Sequence, residues 1–456
     1  MRLIFAAAVV CYGMVLPVVG QAETLADALI AAYKSSNLLA QNQAVLRAAD
    51  EDEGAAFASL LPVLQYTASK SVTELSTLPG AQIDSETQRL TASLTLYAGG
   101  RGRNGVAIAR EAVLATRVGL ISVEQQVLLN AVSAYVTVGL RAEIVGLRES
   151  NTRLIAKQLR AAQDRFDVGE VTRTDVSLAE ARLAAAQAGL AAAQGELSIA
   201  REVYKAAIGA YPANLKNLPK LPSLPKSLEE ARAIAQAGHP SILQAQAQVK
   251  ISDLQVKVAQ GGFLPSVSAQ VSLSEDLGTG TETTVTSLSL NQTLYAGGGQ
   301  ASALRKVLAQ KEGAVAGQLQ AAIQVDEALG RAWAVLAVSN ASVVAGAAQI
   351  EAAQKAFDGV SEEANLGSRT TLDVLNSEQE LLTARASKLE AEANRYVGVY
   401  QVLAAMGRLT AEKLNLGIPT YDVEAYYNFA KNAPPVFFSP TKQGASLDRI
   451  GKKTGN

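Results

Sequence analysis

The sequence predicts a mainly α-helical chain with a membrane β-barrel section, in which one unit of long helices and a β-hairpin is written twice. Three observations carry that fold class. Leu96-Tyr97-Ala98-Gly99-Gly100 recurs as Leu294-Tyr295-Ala296-Gly297-Gly298, an offset of 198 residues. Short stretches in each copy alternate apolar with small polar residues, the period of a half-buried strand. Leucines recur every seven residues, as Leu183, Leu190 and Leu197 in one copy and Leu375, Leu382 and Leu389 in the other. Such heptads make paired helices.

Composition narrows the function. Of 456 residues, 48% are hydrophobic and 18% charged, and 41 Lys+Arg against 42 Asp+Glu leave a net charge of -1. A nucleic-acid-binding footprint would show as a basic excess or stripe, so no nucleic-acid partner is expected. The chain has one cysteine, Cys11, and one histidine, His239. Zinc clusters, iron–sulfur sites, disulfide frameworks and Cys–His catalysis need more. No metal, cofactor or catalytic residue is expected.

Residues 1–22 read as a signal peptide: Arg2, an apolar stretch from Leu3 to Leu16, and Gly20-Gln21-Ala22 as a small-residue cleavage site. Cys11 lies inside that stretch, so the mature chain is Cys-free, which suits an oxidising periplasm. Beyond residue 22 no run of about 18 apolar residues is seen, and no membrane-spanning helix is expected.

The first unit, 23–210, begins with a helix over 24–60. Strands at 63–72 and 88–97 follow; Leu90, Ala92, Leu94 and Leu96 alternate there with Thr91, Ser93 and Thr95. One apolar face and one small polar face is the pattern of an outer-membrane barrel strand with a wet lumen. The adjoining helix, 101–166, would extend about 100 Å. A turn at Asp167-Val168-Gly169 then leads to a helix about half as long. Two short helices stacked end to end would match the long one.

Pro212, Pro219, Pro222 and Pro225 mark an extended linker over 211–226. The second unit, 227–418, repeats the plan, with strands at 266–275 and 284–295. The offset of 198 carries Gly169 onto Gly367, Asp175-Val176 onto Asp373-Val374, and Gly209 onto Gly407. Upstream, Leu61-Pro62 matches Leu264-Pro265 at an offset of 203, a difference confined to one segment, as a variable loop produces. The tail, 419–456, reads as irregular or disordered.

Gly100-Arg101-Gly102-Arg103-Asn104-Gly105 fits the dinucleotide fingerprint, but the second copy has Gln300 and Ala303 in place of its second and third glycines. The pairs Gly99-Gly100 and Gly297-Gly298 are read instead as strand-to-helix turns. Tyr97 and Tyr295 end strands where an interfacial aromatic girdle would sit. His239, Trp333 and Tyr135 are read as structural.

The strand ends, the Leu-Pro strand starts and the two tips (168–176 and 366–375) together resemble TolC-type outer-membrane efflux proteins, over nearly all of the mature chain to about residue 418. That resemblance implies a trimer, with a 12-stranded β-barrel in outer-membrane lipid and an α-helical barrel across the periplasm. It implies a periplasmic adaptor and an inner-membrane pump, ABC or RND in type, docked at a closed tip, with Gly169 and Gly367 in the tip turns. It places Arg369, Thr174 and Asp175 at the gate and Asp373 in an acidic selectivity ring. A supporting Tyr of the family is Ala364 here, and the second acidic ring falls on Asn376. Physics agrees on assembly: four strands cannot close a barrel, and an open edge in lipid leaves backbone groups unpaired.

The favoured function is a passive export duct for drugs, secreted proteins or both. A periplasmic adaptor or structural coiled coil without its own barrel, and an enzyme on a helical scaffold, are the competing readings.

Overall fold

The computed structural model describes residues 23–74 and 82–431. The expected signal peptide and the end of the expected tail lie outside the described residues. In chain order the elements are α1 (Leu25–Ser35), α2 (Asn37–Ala58), β1 (Val63–Glu74), β2 (Gln82–Ala98), α3 (Arg101–Asp167) and α4 (Arg173–Ile208). Then come α5 (Leu228–Gly238), α6 (Pro240–Gly261), β3 (Ser266–Asp276), β4 (Thr281–Asn291), α7 (Gly299–Asn365), α8 (Thr371–Ala405) and α9 (Val423–Lys431).

Where a single helix was expected over 24–60, the chain breaks between α1 and α2. Ser36 leaves helical geometry at φ -69° and ψ 108°, and its hydroxyl accepts from the Leu39 amide at 3.2 Å. His239 does the same between α5 and α6: its Nδ1 accepts from the Ser241 amide at 3.2 Å, with Pro240 opening the helix. Both residues satisfy an amide that the first turn cannot bond internally.

The long helices α3 and α7 each have 67 residues, or about 100 Å at the α-helical rise. Along α3 pack α4 at one end and α2 and α6 at the other, while α7 packs on α8 and α6. The short helices meet end to end. Ser35 Oγ donates to the Ile208 carbonyl at 2.8 Å, at the point where α4 ends on Gly209 with φ 95°. In the second unit Gly407, φ 73°, closes against His239 and Pro240.

The main core lies at this mid-length level, around Tyr135, Tyr204, Leu128, Leu329 and Val402. The linker is tied to it. Glu23 and Leu215 form a parallel bridge, and the Tyr135 hydroxyl reaches the carbonyls of Glu23 at 3.0 Å and Lys216 at 2.8 Å. Tyr396 Oη donates to the Pro219 carbonyl at 3.2 Å. These bonds spare both phenols the cost of a buried unpaired hydroxyl.

The four strands form one antiparallel sheet in the order β1-β2-β3-β4, the two hairpins joined by β2 and β3. Cross-strand rows segregate by chemistry. One row on the outer face runs Tyr66–Leu90–Leu273–Thr284, and an inner row runs Thr67–Arg89–Ser274–Thr283. Tyr66 and Leu273 are exposed in the protomer, as are Leu288 and Leu290 on the edge strand β4. β4 ends at Asn291, short of the expected 295, and Leu294 and Tyr295 lie outside it with no strand partner. At 87% exposure Tyr295 differs from Tyr97, which stays within β2.

Gly99 and Gly100 turn the chain from β2 into α3 at φ 61° and 76°, and Gly297 and Gly298 repeat the turn at 59° and 84°. Only glycine adopts that left-handed pair without penalty. A Cβ on Gly99 would also collide with the Gly261 carbonyl, so the site demands glycine twice over.

The expected irregular tail contains a helix. α9 lies on α2, where Tyr426 Oη donates to Glu51 at 2.9 Å and Tyr427 Oη to Glu53 at 3.2 Å. Arg117 stacks over the Tyr427 ring at 5.0 Å and donates to the Val423 carbonyl at 3.4 Å. These contacts cover Asp50, a buried carboxylate whose closest cation is Arg117 at 4.0 Å.

Candidate functional site at the hairpin tips

The two tips are the same structure made from different residues. Each first helix ends in a Schellman turn: Gly169 at φ 80° follows α3, and Gly367 at φ 79° follows α7. The Glu170 amide donates back to the Arg165 carbonyl at 2.9 Å, and the Ser368 amide to the Glu363 carbonyl at 2.9 Å. Such bonds satisfy the last carbonyls of a helix.

Each second helix opens with a capping box. Thr172 Oγ1 accepts from the Asp175 amide at 3.3 Å while Asp175 Oδ2 accepts from the Thr172 amide at 2.9 Å. Thr370 and Asp373 repeat this at 3.3 Å and 3.1 Å. The Thr-x-x-Asp spacing at both tips is a sequence signature of such a box. The Thr172 bonds hold the Asp175 carboxyl below the usual carboxylate range, and the Thr370 bonds do the same for Asp373, with Arg369 adding to the effect.

Arg369 stands in the second tip, where its Nε donates to Glu363 Oε2 at 2.8 Å. Thr174 and Asp175 stand in the first tip, Thr174 exposed and Asp175 half-buried. Within one protomer Arg369 is therefore engaged by its own hairpin, and Asp175 by its own cap. Ala364 is buried, and Asn376 Oδ1 accepts from Arg182 Nη2 at 3.0 Å, linking α8 to α4.

Just above the tips the hairpins share a small apolar seam: Ile155 and Leu159 from α3, Ala179 and Leu183 from α4, and Leu375 from α8. Glu378 is buried in the same interface and accepts from Asn151 Nδ2 at 2.6 Å. Sequence reasoning passed over Glu378, Asn151 and Arg182. Glu378 lies three places after Leu375, on the heptad seam, which was the signal that could have found it.

Helix α7 contains a window of mean hydropathy 1.4 with few charges, although no long apolar run was expected. Its small polar residues, such as Ser339 and Asn340, interrupt the run without lowering the average much. Val338, Val344 and Leu319 on α7 are exposed in the protomer. Among the described residues, no group of His, Cys, Asp or Glu side chains is placed to hold a metal ion.

A sheet with an apolar outer face, set on helices about 100 Å long that end in paired tips, defines a class of protein. It is a protomer of an outer-membrane export channel, with the sheet in the membrane and the helices in the periplasm. The chain belongs to the outer membrane efflux protein family, whose model matches residues 29–210 and 232–408. It is 35% identical to the outer membrane efflux protein BepC of Brucella suis biovar 1 (strain 1330), over 94% of this chain and 95% of that one. It is 24% identical to the outer membrane protein TolC of Escherichia coli (strain K12), over 64% of this chain and 63% of that one. In fold it matches the Campylobacter jejuni CmeC outer membrane channel at a TM-score of 0.76, with 16% identity and 90% and 89% of the two chains covered. The family is one of channel proteins, and the reading as an adaptor without a barrel is not favoured.

Proposed function

We propose that three copies of this chain assemble into a passive duct from periplasm to exterior, with twelve strands closed as a barrel and the helices as its periplasmic tunnel. The observation that carries this reading is the open sheet. Among the described residues β1 and β4 have no outer partner, and an unpaired edge in lipid costs several kcal/mol per group. A barrel of twelve strands is wider than the roughly eight-stranded kind that side chains fill, so its lumen conducts.

The tip is the gate. Arg369 exchanges its bond to Glu363 for Asp175, with Thr174 beside it, on a neighbouring hairpin when the channel is shut. Arg suits this role because its planar fork can donate two bonds to one carboxylate. Three copies of Asp373 form an acidic ring at the constriction, while Asn376 leaves the next ring neutral. A periplasmic adaptor and an inner-membrane pump of the ABC or RND type bind at the tips around Gly169 and Gly367 and open them. No step is catalytic.

Native mass measurement of the protein in mild detergent tests the assembly. A trimer resistant to dilution is the expected result. A monodisperse monomer that keeps its full β content would end this reading.

A further inference from the structure

Two side-chain hydrogen bonds join the hairpins of one protomer above the tips, and both end on α8. Arg182 on α4 donates to Asn376, and Asn151 on α3 donates to Glu378. The first bond is exposed and the second buried. Glu378 is 4% exposed, and its Oε2 is fully enclosed without a hydrogen-bond partner. One turn along α8 and α3 from this bond, Leu375 and Ile155 pack with Ala179 in the apolar seam. A buried carboxylate with an unmatched oxygen is unfavourable when charged and much less so when protonated. Any movement of the α7–α8 hairpin away from α3 and α4 must break the Asn151 bond and admit water to Glu378.

We propose that Glu378 is a second, proton-dependent positioning residue of the gate: protonated, it holds α8 in the seam between α3 and α4, and charged, it favours their parting. This rests on the reading that the tip opens when the two hairpins separate. Burial pushes the Glu378 carboxyl up to about 7, against the Asn151 bond, which pulls it down. No charged neighbour contributes to that shift. Among the described residues its hydrogen-bond partner is neutral Asn151 on α3, no ionised side chain of α3, α4 or α7 is paired with it, and the cation that α4 sends across, Arg182, is held by Asn376.

The sign follows from linkage. In the closed seam Glu378 keeps its proton up to about pH 7, whereas a solvated glutamate loses it near 4.5. Closure is therefore most favoured in acid, weakens as pH rises through that window, and changes little above it. Between about pH 5 and about pH 8 the open-to-closed ratio should rise at least about tenfold per protomer. Asp373 does not confuse this range, because its carboxyl is held low. Asp50 titrates near 6 but lies under α9, and Glu378→Gln leaves it intact.

Single-channel recordings of the assembled protein across that pH range test the proposal. Wild type should open more often at alkaline pH, and Glu378→Gln should stay closed with no pH slope. Asn151→Leu should move the midpoint to higher pH, because it removes the bond that favours the charged form. Should Glu378→Gln not assemble, the Asn151→Leu midpoint decides alone. A flat wild-type profile, a wild-type slope in Glu378→Gln, or an unmoved midpoint in Asn151→Leu overturns it. Arg369→Ser should raise opening at every pH and leave the slope unchanged. Failure of that variant alone would count against the Arg369 gate and leave the Glu378 slope to stand or fall separately.

Discussion

The Ser35 hydroxyl donates to the Ile208 carbonyl at 2.8 Å, fastening the end of α1 to the end of α4 across 173 residues of chain. The joint lets two short helices run as one beside α3. In the second unit Gly407 packs closely against His239 and Pro240, and Gly238 stands where Ser35 stands in the first, so that joint rests on close packing.

Gly209→Ala tests the joint. The new Cβ would lie 2.8 Å from Ser35 in a backbone held at φ 95°. Left-handed strain alone costs about 1–2 kcal/mol, and the clash adds to it. Gly169→Ala, at φ 80° with nothing near its Cβ, should cost only the strain. Thermal unfolding followed by circular dichroism should place Gly209→Ala clearly below Gly169→Ala.

Arg369→Ser should raise conductance while leaving the trimer intact. Each exposed pair contributes about 0–1 kcal/mol, so three pairs shift the opening equilibrium by up to roughly a hundredfold. Asp175→Ala should open the channel too, and the double variant should add little to conductance. Asp175 is also the N3 partner in the α4 capping box, so its removal should lower helix stability as well, by up to about 1 kcal/mol. Bilayer recordings paired with thermal melts separate the two effects. If both single variants conduct like wild type, closure is set by helix packing.

Asp373→Asn should weaken cation preference and divalent-cation block, because three like-charged carboxylates at a constriction attract cations. Asparagine keeps an oxygen for the Thr370 amide, so the cap should largely survive. Reversal potentials in a salt gradient read the change directly; an unaltered value would place the selective field elsewhere.

The α9 clasp should loosen as pH rises. Burial lifts the Asp50 carboxyl to about 6 from 3.8, against the pull of Arg117. The docked state therefore holds a proton that the undocked chain has released. Asp50's contribution is best below the lower value, falls through that window and is flat above it. The loss should amount to roughly 2 kcal/mol. Protease cleavage within α9, followed against pH, should show this slope in wild type and lose it in Asp50→Asn.

Much of this architecture was legible. The duplicated Leu-Tyr-Ala-Gly-Gly segments gave away both strand-to-helix turns, because glycine pairs in left-handed geometry have few substitutes. Alternation from Leu90 to Leu96 marked a face, because side chains along a strand point to opposite sides. The break at Ser36 was legible only through its match to His239, which opens a helix with Pro240, because an N-cap serine followed by Asn37 looks like any polar residue on an amphipathic helix. β4 ends before Leu294 and Tyr295, which continue its alternation in the sequence but meet no strand among the described residues. α9 was missed because its stability comes from Glu51, Glu53 and Arg117, far away in sequence. At the tips, the glycines and capping pairs were visible locally. The Asn151–Glu378 bond joins residues 227 apart and needed the packed seam to appear.

The pairing of β2 with β3 has a consequence for how the protein is made. Thr87 stands opposite Asp276 in the register, so the first hairpin acquires its neighbour only after α3, α4, the linker, α5 and α6 have been synthesised. The α3–α4 hairpin, by contrast, closes through a turn of a few residues. Contacts between distant parts of a chain form late, because loop-closure entropy must be met first. Helical pairs should therefore appear within the periplasm well before the sheet is complete. Until β3 arrives, β2 offers a bare edge to any passing strand. Factors that shield unfinished strands during secretion should thus matter more to this chain's yield than factors that help its helices fold.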